Sequence, residues 1–277
     1  MNARGFTLVE LIIVIVITGI IAASFALFFK PAIEGYLDTR RRADLTDMAD
    51  TALRRIAQDV RRAVPNSLRA HSATCVQLVP TIAGGRYRMA SDTVNDTPPL
   101  PCTPGPTCSA PLDTSVATTV FDVLSPLEPL PSVGDWVVID NQNNSDVYAG
   151  VNRGQIGALA TPRPSDGLHR VTIGATQFPG GYDGGRFVVI ANGEQSVFYH
   201  CVGNVLYRTV AGFGAGAAAC NATTGAVVAS DVSACTFVYD PNHGATQQSG
   251  FLWMRLELSR AGESVALAHG MHVENWP

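Results

Sequence analysis

In the stretch "RGFTLVELIIVIVITGIIAA" (Arg4–Ala23) one carboxylate, Glu10, stands among Leu8, Val9, Leu11 and Ile12. A charged group at hydrocarbon depth costs about 2.5–3.5 kcal/mol. Glu10 therefore calls for a cation, because two opposite charges meeting at low dielectric offset the desolvation each suffers. A second set that could do chemistry is the six cysteines, Cys75, Cys102, Cys108, Cys201, Cys220 and Cys235, all beyond the apolar segment and none in a CxxC pair. That pattern argues against zinc and redox motifs and for disulfides in an oxidising compartment. A third is "DNQNNSDVYAG" (140–150), where Asp140, Asn141, Asn143, Asn144 and Asp146 are hard oxygen donors of the kind Ca²⁺ takes, with Asp140, Asn143 and Asp146 as the candidate ligand set. Their spacing departs from the EF-hand rule, and Asn/Asp runs are ordinary turn formers, so calcium is a minor alternative to an expectation of no cofactor.

The remaining clusters point away from catalysis. His269 and His272, beside Glu274, are three apart, which on a strand puts them on opposite faces. "GFGAGAAAC" (212–220) has closely spaced glycines but lacks the strand–helix context and the later acid of a nucleotide loop. No GxSxG elbow frames a nucleophile. The chain is not expected to be an enzyme. Its formal charge of −4 supplies no global basic field, so no nucleic-acid partner is expected.

These residues need elements to position them. Leu11 to Phe29 is uncharged and just long enough to span a bilayer as a helix. Arg4 as the basic flank keeps the extreme N-terminus inside and sends the rest outward. Pro31 removes a backbone donor and should kink the helix, with Gly19 and Gly35 as weak points on either side. Beyond it, Leu45, Met48, Ala49, Ala52, Leu53, Ile56, Val60 and Val64 trace an apolar stripe at helical spacing. Arg40–Arg42 and Arg61–Arg62 read as solvated faces or as pairs between subunits with Asp38, Asp44, Asp47 or Asp59. Pro65 closes the helix.

After position 65 the chain turns to short β-branched and aromatic runs parted by Gly, Asn and Pro. Strands are expected at 116–124, 135–140, 169–175, 186–191, 196–202, 204–210, 234–240, 251–259 and 263–273, with tight turns at "VGNV" and "RAGE". Residues 90–115, dense in Pro, Thr and Ser, should be an irregular excursion. Six cysteines allow 15 pairings; the spacing favours a small ring Cys102–Cys108, then Cys201–Cys220, leaving Cys75–Cys235 by elimination. The fold class expected is α+β: one long N-terminal helix, membrane-spanning in its first half (6–30) and amphipathic in its second (31–64), packed on an antiparallel β-rich head (65–277).

"GFTLVELIIVIVITGIIAA" resembles the class III signal of type IV pilins and pseudopilins: a short basic leader ending in glycine, then Phe, then a glutamate four residues on. The resemblance implies that a prepilin peptidase removes residues 1–5 by cutting after Gly5 and N-methylates Phe6, leaving a cationic amine. It implies that Glu10 meets that amine, its own or a neighbour's, and so sets register in a filament. Possessing Glu10 further implies a subunit above this one. The ending "LWMRLELSRAGESVALAHGMHVENWP", with "SACTFVYDP" and "RFVVIANGEQSVFYHC" before it, resembles the MshO-like branch of MSHA-type minor pilins. That likeness implies other minor and major pilins as partners, an inner-membrane prepilin with a periplasmic head, and a final place in a surface pilus. The large J-type minor pseudopilins of type II secretion share the plan, and a tip adhesin or DNA-uptake subunit is the remaining alternative.

Overall fold

The computed structural model describes residues 6–180, 184–242 and 249–275. One helix, α1 (Leu8–Arg61), runs for 54 residues. Its first half is apolar on all sides, and none of its most apolar stretch is buried in the molecule. The segment is long and apolar enough to cross a membrane. It passes through Pro31 without interruption, although the missing N–H there leaves the Leu27 carbonyl without its donor one turn on. In the second half the expected stripe is what the head covers: Leu45, Ala49, Ala52, Leu53, Ile56 and Val60 are buried and Met48 packs beside them. The helix ends short of the expected residue 64. The Val64 N–H is taken by the Val79 carbonyl at 2.8 Å, and Ala63 bridges to Pro80, so Ala63 and Val64 already belong to a sheet-like pairing.

Among the described residues fourteen strands follow: β1 (Arg69–Ser72), β2 (Cys75–Leu78), β3 (Ala83–Arg86), β4 (Thr118–Val123), β5 (Trp136–Val138), β6 (Arg153–Ala160), β7 (His169–Thr176), β8 (Arg186–Ile190), β9 (Ser196–Val202), β10 (Val205–Ala211), β11 (Ala226–Ala229), β12 (Val232–Asp240), β13 (Ser249–Arg260) and β14 (Glu263–Glu274). A single helical turn, α2 (Asp146–Ala149), lies between β5 and β6. The strands pair antiparallel as three sheets: β1-β2-β9-β10-β11, β12-β13-β14 and β3-β8-β5-β6-β7-β4. The fold is α+β, one long apolar helix followed by antiparallel sheets.

The first two sheets and the helix share one core, in which Leu45, Ile56, Leu78, Tyr199, Leu252 and Met254 meet. The third sheet has a core of its own around Phe121, Ile156 and Val189. Its strands enter the chain between β2 and β9, which are neighbours in the first sheet. Its two edges also meet: Tyr87 bridges Val123, and the N–H groups of Leu124 and Arg88 donate to the Arg86 and Asp122 carbonyls at 2.8 and 2.9 Å. The six strands thus close into a small barrel, which removes exposed edges. The single head read from the sequence contains two cores, an insertion on a helix-backed scaffold. A third, smaller cluster around Val64, Val138, Ile190 and Phe213 packs in the seam.

The expected turns form where backbone conformation demands them. Gly203 at φ 61° closes the β9–β10 hairpin, and Ala261 and Gly262, at φ 51° and 88°, close β13–β14. Two successive positive φ values suit the right-handed twist of the strands they join. The stretch 90–115 carries no strand, as expected.

Candidate assembly site

Gly5 and the leader lie outside the described residues. The first described residue, Phe6, is 81% exposed, with Thr7 as the cap of α1. Glu10 occupies the third helical position, and the two side chains cap each other's backbone. The Glu10 N–H donates to Thr7 Oγ1 at 3.3 Å, and the Thr7 N–H and hydroxyl both donate to Glu10 Oε2 at 3.4 Å. This reciprocal box satisfies donors that the first helical turn leaves open. The carboxylate is thereby fixed at the positive end of the helix dipole, one turn from Phe6. These bonds are long, and Glu10 remains exposed, so the carboxylate keeps capacity for a stronger cationic donor.

The proposed calcium donors are arranged as a turn. Asp146 Oδ2 accepts from the Asn143 N–H at 3.0 Å and from its amide Nδ2 at 2.9 Å, and Asp140 Oδ2 accepts from Gln142 Nε2 at 2.6 Å. Asn143 aims a donor, not an oxygen, at Asp146, and Asp140 is buried at φ 51°. Among the described residues no group of three or more His, Cys, Asp or Glu is placed to hold a metal ion. The residue this run orders is Asn141, one of the expected calcium donors, which takes a structural place in the seam instead. Its Nδ2 donates to the Pro65 carbonyl at 2.6 Å, while its Oδ1 accepts from the Val147 N–H and from Asn152 Nδ2. Asn66 Nδ2 in turn reaches the carbonyls of Asn141 and Asn275. The seam between the end of the helix and the barrel is therefore a buried amide network. His269 and His272 fall on opposite faces of β14, half-buried and exposed respectively.

Comparison with known proteins bears on the helix N-terminus alone. Residues 1–26 match the family model described as the prokaryotic N-terminal methylation motif. The match spans the leader, Gly5, Phe6, Glu10 and all but the last three residues of the Leu11–Phe29 span, and supports a type IV pilin-like or pseudopilin protein. It implies prepilin-type processing and assembly with other pilins, and agrees with anchoring in the inner membrane. No curated protein and no solved structure matches the chain.

The head is cross-linked in a different pattern from the one expected. Cys102–Cys108 forms as expected, but Cys75 pairs with Cys220 and Cys201 with Cys235. The pairings Cys201–Cys220 and Cys75–Cys235 are corrected by the pleat. Cys75 lies directly opposite His200 in the β2–β9 register, so its side chain shares a face with His200 and Cys201 points to the other. Cys201 faces the helix-backed core and meets Cys235 of β12 there. Cys75 faces away from that core and is buried under the single turn Ala217–Asn221, which brings Cys220 to it.

Asp59, offered by the sequence as a partner for arginines of a neighbouring subunit, is engaged within its own chain. Its Oδ2 accepts from Tyr199 OH at 2.7 Å and from Arg208 Nε at 2.8 Å, while Arg208 Nη2 reaches Glu194 at 2.6 Å. Burial opposes the Arg208 charge, but the bonds to Asp59 and Glu194 outweigh it and raise its pKa. Asp38 likewise pairs within the helix with Arg41, and Arg42 ties the stalk to Glu263 of β14.

Proposed function

We propose that the chain is a minor pilin which assembles with other minor pilins to initiate or cap a type IV, MSHA-like pilus. Its activity is association, not catalysis: the apolar helix packs against neighbouring helices and the head docks other subunits. It enters the inner membrane as a prepilin with its head in the periplasm, and passes from there into a surface pilus. The observation that carries this reading is Glu10, capped by Thr7 and sited four residues beyond Phe6 in an otherwise apolar helix. Once the bond after Gly5 is cut, the Phe6 ammonium becomes the charge that a membrane-buried Glu10 needs.

Replacement of Glu10 by Ala tests the reading. The variant is expected to be processed and inserted normally but to enter filaments poorly, measured as sheared pili per cell against total mature subunit. Normal piliation by the variant would remove the registry role. Loss of processing in Gly5 variants, seen as full-length prepilin by mass spectrometry, tests the leader separately. The same motif serves secretion pseudopilins, and genes for a pilus rather than an exoprotein secretion system beside this one distinguish the two.

A further inference from the structure

On the outer face of the barrel, beside Val64 and Pro65 at the end of the helix, lies an open cleft of about 480 Å³. That is within the size range of small-molecule sites, roughly 300–1,000 Å³, which favour junctions between packed units. Arg86 of β3 and Arg186 of β8 both line it and are direct register partners across an antiparallel pair. Like charges directly opposite destabilise a sheet, and among the described residues neither guanidinium has an ion-pair partner. Gly84, between them and the seam, contributes no side chain, so the space above the strands stays open. Val138 and Val188 form an apolar floor, Asp140 and Asn141 line the seam end, where Asp140 Oδ2 accepts from Gln142 Nε2 at 2.6 Å, and the Ser125 hydroxyl stands at the rim, accepting from the Arg86 N–H at 2.9 Å.

We propose that this cleft binds a carboxylate carried on a small ring or hydrocarbon body, of the size of a single sugar acid. Two planar guanidinium forks suit a carboxylate, and the floor suits the body that carries it. The anion would relieve the repulsion between the two arginines, so the site is a place where sheet stability has been given up. This inference stands apart from the pilus reading, since it involves neither Glu10 nor the membrane helix.

The test uses the full-length chain in detergent, with glucuronate as probe and glucose and acetate as controls. Glucuronate is expected to saturate in the millimolar range, with both controls far weaker. The double variant Arg86→Gln/Arg186→Gln should bind glucuronate at least about tenfold more weakly, since each charged hydrogen bond is worth on the order of one to two decades. Without ligand the same variant should melt higher by about 1–3 °C, the release of a like-charge pair. Absence of saturation, unchanged binding by the variant, or equal binding of glucose or acetate would each overturn the proposal. A lower melting temperature in the variant would make the arginines structural and overturn it too. Binding of a peptide's free C-terminus in place of glucuronate would assign the cleft to a protein contact instead.

Discussion

A single buried amide shows how much one side chain can carry. Asn141 satisfies the Pro65 carbonyl, the Val147 N–H and the Asn152 amide at once, and it is 2% exposed. Truncation to Ala would orphan three polar groups, each costing about 1–3 kcal/mol when left unpaired. Asn141→Ala is therefore expected to lower stability by about 3 kcal/mol or more in denaturant unfolding followed at the seam. Asn143→Ala, which removes only an exposed bond to Asp146, should stay within about 1 kcal/mol. Equal effects would show that the run acts as a generic turn. At this scale the sequence is informative about Glu10, whereas for Asn141 it offers only one oxygen donor among five in a candidate calcium run. An acid in an apolar run violates a rule that composition alone reveals, whereas an Asn in an Asn/Asp run looks like any turn until its partners from residues 65 and 152 are in place.

Elements were legible where periodicity is strong. The helical stripe and the strands around 118–123, 169–176, 186–190, 196–202, 232–240, 249–260 and 263–274 follow from β-branched and aromatic alternation. Strands β3 ("AGGR") and β6 ("RGQIGALA") carry Gly and Ala in place of such residues and are not among the expected strands, nor are the four-residue β1, β2 and β11; tertiary pairing makes them strands. Disulfide partners were illegible for a related reason. Which face a cysteine points to depends on register, and register is set by the neighbouring strand. The observed pairing has an energetic order. Chain-entropy estimates rise with the loop closed, giving about 5 kcal/mol for Cys75–Cys220, about 4 for Cys201–Cys235 and about 2 for Cys102–Cys108, whose separations are 145, 34 and 6 residues. Replacing each pair with serines should lower the unfolding midpoint in that order. A larger loss from the Cys102–Cys108 ring than from Cys201–Cys235 would contradict the observed connectivity.

At the scale of the whole molecule, two cores built on different polar groups should respond to acid separately. In the helix-backed half His200 is buried, its Nε2 beside Thr209 at 3.0 Å and its ring stacked on Tyr207. Desolvation lowers its pKa from the ordinary value of 6.5, against a smaller opposing effect of the Cys220 backbone nearby. A histidine held neutral in the fold but free to charge when unfolded contributes stability above about pH 6.5, lost as pH falls toward its depressed pKa. In the barrel half, Arg163 and Arg170 clamp Asp96, Asp122 and Asp166, and Arg170 also holds the carbonyls of Gly105 and Cys108 in the proline-rich excursion. Burial pushes the Asp96 carboxyl up, but the Ser109 hydroxyl and N–H, the Asp92 N–H and Arg163 outweigh it and hold the group below the ordinary 3.8. Its contribution is complete above that value and is lost only as pH falls below it. Acidification should therefore loosen the helix-backed sheets first, from about pH 6 downward, and the barrel only below about pH 4. Hydrogen exchange resolved by segment reads this directly, comparing β9–β10 with β4 and β7. The variant His200→Gln should remove the upper step and leave the lower one. One concerted transition in both segments, or an upper step that survives in His200→Gln, would show that the two cores do not titrate independently.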